Sequence, residues 1–106
     1  MEQEIVDEGV LSRDRLQALL KSFLEEQGEE YYLNRIGFFG SYARNQATAE
    51  SDVDIIFETD RPNLFRTSGM KQDLEVLLGR RVDVIRLHPN LRPNFRARIE
   101  KEAVYV

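Results

Sequence analysis

Two aspartates two residues apart, Asp52 and Asp54, follow a Gly40-Ser41 pair after a ten-residue spacer, in the stretch GSYARNQATAESDVDI. An apolar run, Ile36-Gly37-Phe38-Phe39, leads into the Gly-Ser pair, and another, Ile55-Ile56-Phe57, follows the second aspartate. Side chains on a strand alternate with period two, so Asp52 and Asp54 share one face while Val53, Ile55 and Phe57 point into a core. Two carboxylates beside a small-residue turn can hold a divalent cation and a polyphosphate together.

Asp83 adds a third acid, because it interrupts the otherwise apolar run Val82-Asp-Val84-Ile85. Burying a lone carboxylate costs several kcal/mol, so Asp83 is expected to face a solvated site or a cation. If its strand lies beside the Asp52/Asp54 strand, three carboxylates converge, and they repel one another unless cations sit between them. Such hard oxygen ligands suit Mg2+ or Mn2+. Two such ions about 4 Å apart can activate a hydroxyl and stabilise a leaving phosphate oxygen. Gly40 lets the backbone approach a phosphate closely. The Ser41 hydroxyl and the free N–H groups after it form a small anion site, and Arg44, one turn on, is placed to reach the same phosphates. Taken singly, Gly-Ser is a turn and D-x-D an exposed strand end; the joint arrangement carries the reading.

The elements that must position these residues are legible in the same way. Ser12 reads as an N-cap with Asp14 in the first turn. Leu16, Leu19, Leu20, Phe23 and Leu24 then repeat with helical spacing up to Gly28. Strands are predicted over about Leu33–Phe39, over DVDIIFE and over Arg81–Leu87. A second helix is predicted from about Arg66 to Leu78, with Met70, Leu74, Leu77 and Leu78 as its stripe and Gly79 at C′. Tyr42–Gln46 is expected to form a short helix, Pro93–Lys101 another, and the final AVYV a strand. This order predicts an α/β (α+β) domain: a mixed sheet with helices packed mainly on one face.

A length of 106 residues allows one domain with one modest core, residues 1–10 reading as a loose acidic lead-in. The chain has no cysteine, which excludes a disulfide framework and thiol chemistry. No apolar run approaches the roughly 20 residues of a membrane span, and the N-terminus lacks a signal peptide's pattern, so a cytoplasmic location is expected. Net charge is −4, unevenly spread: residues 1–60 hold 14 acidic against 5 basic residues, and residues 61–106 hold 5 against 10. An acidic whole argues against direct nucleic-acid binding, although the basic half can serve phosphates locally.

The segments IGFFGSYARNQATAESDVDIIFE and LLGRRVDVI resemble the nucleotidyltransferase superfamily with the DNA-polymerase-β-like palm. They are most similar to the minimal nucleotidyltransferase (MNT) antitoxins of HEPN/MNT toxin–antitoxin pairs. The ending RIEKEAVYV extends the likeness over roughly Leu11 to Val106. The resemblance implies that Asp52, Asp54 and Asp83 bind two Mg2+ ions, with Asp83 on the nucleophile side. It implies that Gly40 and Ser41 hold the β and γ phosphates of ATP, with Arg44 as a further phosphate contact. The implied reaction moves AMP onto a tyrosine of a cognate HEPN ribonuclease toxin, silencing it within a hetero-oligomer. Almost every segment here is committed to the palm, so the acceptor is expected to come from the partner. A binding-only antitoxin that masks the toxin sterically, or a transferase for a small acceptor such as an aminoglycoside, are the alternatives.

Overall fold

The computed structural model describes residues 11–106; the acidic lead-in expected over residues 1–10 lies outside them. The elements run α1 (Arg13–Gln27), β1 (Leu33–Phe39), β2 (Val53–Thr59), α2 (Leu64–Leu78), β3 (Val82–Arg86), α3 (Pro93–Glu102) and β4 (Val104–Tyr105). The sheet order is β3-β2-β1-β4. β1 pairs antiparallel with β2 and with β4, while β2 and β3 are parallel. That parallel pair requires a crossover, which α2 supplies.

α1 and α2 each start where a side chain satisfies an orphan N–H. Ser12 Oγ accepts from Arg15 N–H at 3.0 Å, as expected. α2 begins two residues earlier than predicted because Asn63 Oδ1 accepts from Arg66 N–H at 2.9 Å, a cap the apolar spacing does not reveal. Gly79 ends α2 in the left-handed region (φ 65°), and Pro93 opens α3.

The core has two layers, one on each side of the sheet. α1 contributes Leu16, Leu20 and Phe23, and α2 contributes Met70, Leu74 and Leu78, against Ile36, Phe38, Val53, Ile55, Phe57 and Val82. Leu77, expected in the stripe, is 39% exposed, because Met70, Leu74 and Leu78 at i, i+4 and i+8 already fill the contact face. On the opposite side α3 lays Ile99 and Phe95 over Phe39 and Ile56. Two of the three helices thus share a face, and α3 covers part of the other. Leu74 is wholly buried, so Leu74→Ala is expected to cost about 2–5 kcal/mol in a urea unfolding series.

The short helix expected over Tyr42–Gln46 is instead a hydrogen-bonded turn. Arg44 N–H donates to Gly40 C=O at 3.1 Å and Gln46 N–H to Ser41 C=O at 2.8 Å. Asn45 then takes a positive φ of 58°, which stops helical propagation. Tyr42 is turned away from this turn's outer side and buried in the α1/α2 layer.

Candidate active site

β1 and β2 pair so that Phe39 stands opposite Asp54, which puts the turn after β1 directly beside the start of β2. β2 and β3 pair so that Asp54 stands opposite Asp83. The register is set one step earlier, where Val53 N–H donates to Arg81 C=O at 3.0 Å. Alternation then sends Val53, Ile55, Val82 and Val84 to the α1/α2 layer. Asp54 and Asp83 face the other side and line one groove with Phe39, Ile85, Phe95 and Arg98. Lys71 of α2 lines the same groove. Two cations drawn from the basic half of the chain therefore flank the acidic pair.

Gly40 has a φ of 73°, and a Cβ built on it would overlap Asp54 Oδ2 and lie 3.1 Å from Asp54 Cγ. The absent side chain is the space in which the Asp54 carboxylate sits. Beyond Gly40, the N–H groups of Ser41, Tyr42 and Ala43 have no acceptor among the described residues. Consecutive free N–H groups in a turn form a nest for an anion.

Burial raises the Asp54 pKa above its ordinary value; the Asp83 and Asp52 carboxylates push it further, while Arg44 and Arg98 pull it back. A carboxyl whose pKa is raised by burial and then by two nearby acids is one that a cation would relieve. Asp52 lies one residue before β2 and turns to Arg81, with Nε 3.3 Å from Oδ1; these side chains are 39% and 83% exposed. Among the described residues no three metal-ligating side chains are already gathered at one point. The geometry thus provides a pair, Asp54 and Asp83, with Asp52 held alongside by an exposed ion pair that costs little to break.

Arg44, expected at the phosphates, pairs with Glu102: its Nη1 lies 3.3 Å from Oε1 and 3.2 Å from Oε2. Its Nε donates to Gln46 Oε1 at 3.2 Å. Glu102 also accepts from Gly40 N–H at 2.7 Å. Spacing does not single out Glu102, Lys71 or Arg98, while Phe95 is legible only as one face of the Pro93–Lys101 helix with Ile99. No local pattern could reveal Glu102, since it stands 62 residues from Gly40 in the chain.

Residues 17–106 match the family model of the nucleotidyltransferase domain. The chain is 33% identical over 98 residues to the protein adenylyltransferase MntA of Thermococcus cleftensis, a match covering 92% of this chain and 98% of that protein. Among solved structures, a chain assigned as a minimal nucleotidyltransferase superposes with a TM-score of 0.74 at 30% identity, over 88% of this chain and 94% of the other. A chain from the complex of tri-AMPylated Shewanella oneidensis HEPN toxin with MNT antitoxin superposes with a TM-score of 0.60 at 18% identity, over 84% of this chain and 70% of that one. At that identity the likeness is one of fold.

Proposed function

The chain belongs to the nucleotidyltransferase family, on the minimal branch that includes MntA, and from that premise we propose that it transfers AMP from ATP to a tyrosine of a HEPN-type toxin and so neutralises it. The observation that carries the reading is the in-register Asp54–Asp83 pair beside a turn whose Ser41, Tyr42 and Ala43 N–H groups have no acceptor among the described residues. In this reading Ser41 and the N–H groups of residues 41–43 hold the β and γ phosphates, and Gly40 leaves room for Asp54. The tyrosine oxygen attacks the α-phosphorus, a new O–P bond forms, the bond to the bridging oxygen breaks, and pyrophosphate leaves. The hydroxyl proton passes to Asp83. Lys71 and Arg98 sit where they offset the charge gathered in the groove.

The donor set is all carboxylate and fits Mg2+. Asp54 and Asp83 would hold it, joined by Asp52 once released from Arg81, and the bound ions would supply charge stabilisation to hydroxyl and phosphate. The likeness to the Thermococcus protein adenylyltransferase supports a protein as the acceptor.

The test is incubation with Mg2+ and α-labelled ATP, with and without a candidate HEPN toxin. Label is expected on the toxin and is expected to vanish in the Asp52→Asn/Asp54→Asn double variant. If that variant still neutralises the toxin, and neither protein transfers label, neutralisation is by masking and the enzymatic reading of the antitoxin fails. Label appearing on an added aminoglycoside instead would reassign the acceptor.

A further inference from the structure

Glu102 is the last residue of α3, where a carboxylate opposes the helix dipole. Its side chain is only 17% exposed. A helix-terminal acid placed against local preference and largely out of water must be offset by specific contacts. Those contacts are Gly40 N–H at 2.7 Å and the Arg44 guanidinium at 3.2 and 3.3 Å. The backbone delivers the carboxylate firmly. Ala103 N–H donates to Ile99 C=O at 2.8 Å, and β4 then pairs with β1 at Gly37 and Phe38, three and two residues before Gly40.

Resting on the nucleotidyltransferase reading, we infer that Glu102 is a positioning residue for the nucleotide seat: it pins the Gly40 N–H and Arg44 so that the N–H groups of Ser41, Tyr42 and Ala43 stay aimed outward at the phosphates. Gly40 N–H is occupied by the protein's own carboxylate, so Gly40 contributes space and Glu102 contributes order. Arg44 acts through Glu102, its charge held over the turn, rather than by direct grip on a phosphate.

The measurement is calorimetric binding of α,β-methylene-ATP with Mg2+ to the whole chain, together with the amide resonance of Gly40 in a 15N–1H spectrum. Glu102→Ala is expected to weaken binding about tenfold, the scale of one charge-assisted hydrogen bond. Glu102→Gln keeps a neutral acceptor for Gly40 N–H and is expected to fall between the parent and Glu102→Ala. The Gly40 resonance is expected to move upfield in both, further in the alanine variant. If Glu102→Ala does not fold, Glu102→Gln decides alone. Affinity unchanged or tighter in the folded variants overturns the inference, because Glu102 is then a bystander or a competitor for the seat. Failure of the parent chain to bind the probe overturns the nucleotidyltransferase reading itself, and the inference with it.

Discussion

Replacing Asp54 with asparagine is expected to abolish transfer and at the same time make the folded chain more stable at neutral pH. The first effect follows from its place: Asp54 stands opposite Asp83 in the sheet and against Gly40 at the turn, so no other carboxylate can substitute for it. A drop of roughly 10²–10³ or more in rate is the scale for removing one preorganised group that stabilises developing charge. The second effect follows from linkage. Burial first, then Asp83 and Asp52, raise the folded-state pKa of Asp54 above its ordinary 3.8. The folded chain therefore holds that proton more tightly than the unfolded chain. The stabilising contribution is fully present below 3.8 and is lost as pH rises through the raised value. At pH 7 the ionised Asp54 is a net burden on the fold, which Asp54→Asn removes. The melting temperature of Asp54→Asn at pH 7 is expected to lie above that of the parent. The gain is expected to shrink toward zero when the scans are repeated below the ordinary carboxylate range. Added Mg2+ is expected to raise the melting temperature of the parent and to leave that of Asp54→Asn nearly unmoved. A variant that loses both activity and stability at pH 7 would show that Asp54 is a structural acid.

Much of this arrangement is local and therefore readable in the chain. The alternation through Val53, Asp54, Ile55 and Ile56 places one acid on the face opposite the α1/α2 layer without any knowledge of neighbours. Asp83 shows itself by breaking an apolar strand. What depends on pairing is not local. That Asp83 meets Asp54, and not Asp52, is decided by a parallel register anchored at Arg81 and Val53. Asp52 shares the expected parity, yet it precedes the strand and is drawn to Arg81, the residue just before β3. The segment after Ser41 reads as a short helix, yet it closes as a turn because Asn45 adopts a left-handed conformation, which composition alone does not announce. Glu102 is the extreme case. It lies at the far end of the chain, and only the return of β4 along β1 brings it to Gly40.

Gly40→Ala tests the site from the other side of the same contact. Two costs apply there and they can be separated. An alanine at φ 73° carries the strain of a left-handed L-residue, roughly 1–2 kcal/mol. Its Cβ would also overlap Asp54 Oδ2, so either the turn or the carboxylate must move. Gly79 supplies the control. It has a similar φ of 65° at the end of α2, and a Cβ there meets nothing within 4 Å. Gly79→Ala is therefore expected to show strain alone: a loss of roughly 1–2 kcal/mol in urea unfolding with transfer activity retained. Gly40→Ala is expected to lose at least as much stability and, unlike Gly79→Ala, nearly all activity. The pair of variants distinguishes a seat for Asp54 from a mere turn. Equal stability losses with activity kept in both would mean that the close approach of Gly40 to Asp54 has no part in the chemistry. A further cross-check is the double variant Gly40→Ala/Asp54→Asn. If the damage at Gly40 lies in the displaced carboxylate charge, its effect on activity is expected to be absorbed into that of Asp54→Asn rather than added to it, as for two residues acting as one unit.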